Sequence, residues 1–175
     1  ILANVLKYKL PLYYCNTVGS QTEIIFDGGS LIYDAGGNIV KELPYFEEAI
    51  EGMELEKLSG SHLQPVKPAA FTPLTELVFD HNINRIYDAL VLGIRDYFGK
   101  MGFTKAILGS SGGIDSAVTL AVACDALGKE NVRAVLMPSP YSTGHSVDDA
   151  VALSENLGNP YDIIRINDIY ESFLA

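Results

Sequence analysis

The sequence predicts an α/β protein, with a parallel sheet of βαβ units in its second half and a region of short strands and a hairpin in its first. Three observations carry this. Apolar segments of strand length and of helix length alternate from Ala106 to Ile166. A run of small residues, Gly109 to Ser116, falls where one of these strands turns into a helix. Between the halves lies a stretch with Ser59, Gly60, Ser61, Pro65, Pro68 and Pro73 and little periodicity, which reads as a linker. At 175 residues, with 48% hydrophobic and 19% charged residues, the chain is long enough for one ordinary domain or two small ones.

Taken in order, Pro11 to Val18 and Glu23 to Phe26 are short β-rich runs, and Ser30 to Tyr33 with Ile39 to Lys41 flank the turn Asp34 to Asn38. Beyond the linker, Ile83, Ile86, Tyr87, Leu90, Val91, Ile94, Tyr97 and Phe98 recur at three- and four-residue spacing, one apolar stripe along a long helix. Ala106 to Leu108 is a strand, Ile114 to Leu127 an apolar helix and Val132 to Met137 a second strand. A helix is expected from Ser146 to Leu157, because Ser146 and Asp149 have capping-box spacing and Gly158 and Pro160 close it. Tyr161 to Ile166 follows as a third strand. The domain limits expected are 1–55, a linker over 56–74, and 75–175.

Gly109, Ser110, Ser111, Gly112, Gly113, Ile114, Asp115 and Ser116 read as a phosphate cradle. Glycines at 112 and 113 remove the Cβ atoms that would block an anion and permit the positive φ that curls consecutive amides around one oxygen. The three serines add hydroxyl donors, and the first turn of the following helix presents roughly half an elementary positive charge. Asp115 would repel a polyanion unless a divalent cation lay between, so Mg²⁺ held at Asp115 is expected. No Lys follows the glycines, which excludes a Walker A loop. Ser111 and Ile114 stand where a dinucleotide-binding fingerprint needs glycine. A plain connector would have no use for an Asp within the turn. The switch-point rule places the ligand beyond the carboxyl ends of the strands, where this loop and Met137 to Tyr141 both emerge.

A formal net charge of −10, with no cluster of Lys and Arg, opposes nucleic acid as a partner. No apolar run approaches the roughly 20 residues of a membrane span, and the first residues lack a signal-peptide pattern. Cys15 and Cys124 each lie in an apolar stretch and read as buried core thiols, which fits a reducing cytoplasm. His62 and His81 lack metal-site spacing. His145, just before a helix, reads as a solvated loop histidine, with a phosphate contact as the alternative. Asp148 and Asp149 read as helix-dipole partners of a first turn.

Ser111 to Ser116 matches the SGGxDS loop, and the loop resembles that of the N-type ATP pyrophosphatases. Together with Ala89 to Tyr97, and with Met137, Pro138, Ser139, Tyr141, Ser142, Ser146 and Asp149, it makes residues 75 to 175 similar to the synthetase domain of glutamine-dependent NAD⁺ synthetases. Val18 to Ser30 resembles the late part of a nitrilase-type glutaminase domain. The resemblance implies an adenine nucleotide alpha hydrolase-like fold after the late part of a nitrilase-like αββα sandwich. It implies ATP and Mg²⁺ at Gly109 to Ser116, and deamido-NAD⁺, ATP and glutamine or ammonia as small-molecule partners. A homo-oligomer in the cytoplasm is expected as well. The glutaminase triad of Cys, Glu and Lys is expected to lie outside this chain: Cys15 is flanked by Tyr14 and Asn16, whereas the family's nucleophile has an acidic neighbour. The chain therefore reads as an internal fragment, inactive alone. The alternatives are another amide-forming ATP pyrophosphatase, and a non-catalytic nucleotide-binding or oligomerisation module.

Overall fold

The computed structural model describes residues 1–54, 82–139, 142 and 144–174. The expected linker over 56–74, with His62, and His81 beyond it lie outside the described residues. The chain divides into two compact units, Ile1–Gly93 and Ile94–Ala175.

In the first unit, helix α1 (Leu2–Tyr8) precedes strands β1 (Leu12–Tyr14), β2 (Val18–Gln21), β3 (Ile24–Asp27), β4 (Leu31–Tyr33) and β5 (Ile39–Glu42). They form an antiparallel sheet of order β1-β4-β5 and a separate β2-β3 hairpin. The turn between β4 and β5 is held by Asp34, whose Oδ1 accepts the amides of Gly36 and Asn38, each at 2.9 Å. A small apolar cluster of Ile32 and Val40, with Met53 against it, holds the sheet. Helix α1 was not legible in the sequence. It buries Val5, at 1% exposure.

Cys15 departs from expectation: it is exposed, whereas Cys124 is buried. The backbone leaves β1 at Cys15 because Asn16 is claimed elsewhere, its Nδ2 donating to Asp27 Oδ1 at 3.0 Å and to the Gly28 carbonyl at 2.7 Å. The strand period also argues against an inward Cys15, since Tyr13, two residues earlier on the same face, is exposed.

Helix α2 (Ile83–Met101) opens on Asn82 and runs across the division between the units. The helical period is as predicted, but the expected stripe is only half covered. Ile83, Tyr87, Leu90 and Tyr97 are exposed, and the buried residue of the helix is Leu92, outside the stripe.

The second unit contains β6 (Ala106–Gly109), α3 (Ile114–Leu127), a short 3₁₀ turn (Lys129–Asn131), β7 (Val132–Leu136), α4 (Gly144–Leu157), β8 (Tyr161–Ile163) and α5 (Asn167–Leu174). The three strands form a parallel sheet in the order β6-β7-β8, as the alternation predicts. Helices α3 and α4 share one core with it: Leu120, Ala123, Cys124, Val132, Ala134, Leu136 and Ala150. The other face carries Ile107, 76% exposed, and an ion pair from Arg133 to Asp162 at 2.8 Å. Strand β8 ends at Ile163, short of the expected Ile166, although the amides of Ile164 and Ile166 still reach the carbonyls of Leu136 and Pro138.

Candidate functional site

The Gly109–Ser116 loop leaves the carboxyl end of β6 and opens α3, whose N-cap is Gly113. The parallel register sets Gly109 opposite Val135, and the Ser110 amide donates to the Val135 carbonyl at 3.0 Å, so the loop starts anchored on β7. Met137, at the end of β7, comes within 3.7 Å of the Cβ position of Gly109. The two loops expected to meet at the carboxyl edge are therefore adjacent there. Tyr141 lies outside the described residues.

The glycines divide their work differently from expectation. Only Gly112 takes positive φ, at +80°; Gly113 is extended, at −86°. Gly112 has a second reason to lack a side chain. A Cβ there would overlap the Ser146 carbonyl oxygen and stand 2.7 Å from its carbon and 2.8 Å from its Cα. Ser146, singled out in the sequence as a helix cap, is in fact the loop's backbone neighbour.

The hydroxyls also behave differently. Ser116 Oγ donates to the Gly113 carbonyl at 2.9 Å and accepts the Ser111 amide at 3.2 Å. Ser111 Oγ lies 3.1 Å from Ser116 Oγ and accepts the Gly113 amide at 3.2 Å. Ser110 stands apart: it is 6% exposed, and its Oγ has no partner among the described residues. A buried orphan hydroxyl at the root of a loop is a feature that folding alone does not reward.

Ile114 and Asp115 are exposed in the first turn of α3, where helix amides have no intrahelical acceptor. The Asp115 carboxylate is thus placed beside the anion-favouring end of a helix. No group of three or more His, Cys, Asp or Glu able to hold a metal occurs among the described residues. One carboxylate with phosphate oxygens is nevertheless a usual Mg²⁺ donor set, so Asp115 fits that ion only with a phosphate ligand present.

Helix α4 starts at Gly144, two residues before the expected cap. Ser146 is therefore inside the first turn and is not its N-cap. His145, expected just before the helix, is an exposed first-turn residue of α4. Asp148 and Asp149 move to the second turn, where the helix dipole no longer explains them, and both are exposed.

The first unit holds an open recess of about 800 Å³ whose lining includes Cys15, Asn16, Ser30, Glu47 and Glu48. Among the described residues, its lining includes no lysine. Among the described residues no helix is long and apolar enough to cross a membrane.

A family model for NAD synthase matches residues 86–175, a span that includes the whole loop. The chain is 43% identical over 167 residues to a glutamine-dependent NAD(+) synthetase of Synechocystis, covering 95% of this chain and 28% of that protein. It is 37% identical to the Thermotoga maritima protein of the same name, over 95% of this chain and 33% of that one. Among solved structures, a glutamine-dependent NAD+ synthetase from Acinetobacter baumannii in complex with adenosine diphosphate superposes with a TM-score of 0.82 at 36% identity, over 99% of this chain and 31% of that one. A glutamine-dependent NAD(+) synthetase from Cytophaga hutchinsonii, 14% identical, shares the fold with a TM-score of 0.74.

Proposed function

Because this chain belongs to the NAD synthase family, we propose that it carries the ATP-binding loop of a glutamine-dependent NAD⁺ synthetase, an enzyme amidating deamido-NAD⁺ to NAD⁺ at the expense of ATP. Its parallel sheet with α3 and α4 has the adenine nucleotide alpha hydrolase-like fold. The chain spans about 30% of the length of the relatives it matches. The observation that carries the reading is Gly109–Ser116: an SGGxDS loop at the carboxyl end of a parallel strand, opening a helix, inside the matched segment.

In this reading, first-turn amides of α3 and the curl at Gly112 receive the β- and γ-phosphates, with the helix dipole favouring their charge. Asp115 would hold Mg²⁺, which when bound neutralises charge on the phosphates. The substrate carboxylate attacks the α-phosphorus; a new P–O bond forms and the bond to the β-phosphate oxygen breaks, releasing pyrophosphate. The loop's fixed amides stabilise the charge growing on that leaving group without reorganising during the step. Ammonia then adds to the acyl carbon of the adenylate, the C–O bond to AMP breaks, and one proton is lost to give the amide. The absence of Lys in the loop fits adenylation, since no cation is built in to follow a transferred γ-phosphoryl group. Glutamine is proposed as the ammonia source, on the likeness of Val18 to Ser30 to a nitrilase-type glutaminase domain.

The test is isotope distribution in the whole protein. With deamido-NAD⁺ labelled by ¹⁸O in its carboxylate, adenylation places one label in AMP and none in pyrophosphate. Label in pyrophosphate or orthophosphate would refute attack at the α-phosphorus.

A further inference from the structure

We propose that Ser111 and Ser116 are positioning residues: their hydroxyls pre-form the loop before its ligand arrives. The proposal deepens the nucleotide-site reading above and rests on it for the identity of the ligand.

Hydrogen counting carries it. A serine hydroxyl owns one proton and two lone pairs. The Ser116 proton goes to the Gly113 carbonyl at 2.9 Å, and a Ser116 lone pair takes the Ser111 amide at 3.2 Å. With that proton spent, the 3.1 Å contact between the two hydroxyls is made by the Ser111 proton, donated to Ser116 Oγ. Ser111 Oγ in turn accepts the Gly113 amide at 3.2 Å. Both hydroxyl protons are thus committed inside the loop, and the four bonds tie residues 111, 113 and 116 into one ring. The ring encloses Gly112, whose positive φ and close backbone approach to Ser146 allow it little other choice. Donors aimed before a ligand arrives need no reorganisation when charge develops, which is the property an anion cradle requires.

A hydroxyl serving only as a phosphate donor would leave the ligand-free loop unchanged when removed, and would register only in affinity. A positioning hydroxyl acts before any ligand is present. The discriminating experiment is amide-resolved hydrogen exchange on the ligand-free whole protein. Ser116→Ala is expected to speed exchange of the Ser111 amide at least threefold, and Ser116→Thr, which keeps the hydroxyl, to restore it. Ser111→Ala is expected to speed the Gly113 amide by a similar factor. Unchanged exchange at the Ser111 amide in Ser116→Ala, with β7 amides still protected, overturns the proposal. If Ser116→Ala also exposes β7, the Ser111→Ala and Gly113 pair decides in the same way.

Adding magnesium pyrophosphate to the wild-type protein tests the underlying reading separately. Slowed loop exchange supports the phosphate site. No slowing, alongside fast Ser111 exchange in Ser116→Ala, removes the nucleotide reading and leaves the positioning role standing.

Discussion

Gly112 answers to two constraints at once, a backbone angle of +80° and a carbonyl that leaves no room for a methyl group. Gly112→Ala is therefore expected to lower stability by at least about 1 kcal/mol, from the left-handed backbone alone, and to abolish pyrophosphate binding; denaturant melts and calorimetric titration measure the two. The need for small residues was legible in the sequence. The partner was not, since Ser146 lies 34 positions away and contributes a main-chain atom that no side-chain pattern encodes. Tyr45 offers a second residue-level test. Burial, and then its 2.7 Å bond to Glu42, push the Tyr45 hydroxyl up to about 12. Its neutral form is the favoured one, so its contribution is whole below the ordinary value near 10 and is lost as pH rises towards 12. Tyrosinate absorbance should show a last step near pH 12 that Tyr45→Phe removes. For the cysteines, native thiol titration should modify Cys15 readily and Cys124 only after unfolding, because burial both covers Cys124 and raises its thiol.

Elements were legible where period and punctuation agreed. Helix α3 begins at Ile114 and ends at Leu127 as read, and β6 and β7 fall where their apolar runs lie. The sequence pattern starts helix α4 two residues late because Ser146 and Asp149 imitate a capping box, while the helix begins at Gly144. Its other end was sound: Gly158 has φ +74°, and its amide and that of Asn159 both reach the Ser154 carbonyl, at 2.8 and 3.2 Å. Gly158→Ala should lower stability by about 1 kcal/mol through that left-handed turn. On α2 the period gave the helix but not its burial. A stripe says which residues share a face and nothing about what covers it. Strand β7 is the anchor of its unit, with Val132, Ala134 and Leu136 each at or below 1% exposure. Leu136→Ala should cost roughly 2–5 kcal/mol in a denaturant melt.

At the scale of the whole molecule, two compact units of different architecture occur in one chain, an antiparallel one and a parallel one. The parallel unit holds the proposed nucleotide loop at the edge where β6 and β7 end together, the place where α/β sheets bind ligands. Parallel topology and loop position were both readable, since alternation fixes the one and the glycines mark the other. Membership of the NAD synthase family rests on residues 86–175. The coupled reaction is the larger claim, and it is tested most directly by following NAD⁺ formation from deamido-NAD⁺ and ATP in the whole protein, with glutamine or with free ammonia, for wild type and Asp115→Ala. NAD⁺, AMP and pyrophosphate are expected in equal amounts from either nitrogen source, with a loss of about a hundredfold or more in Asp115→Ala for both. No NAD⁺ from either source, or full activity in Asp115→Ala, would contradict it.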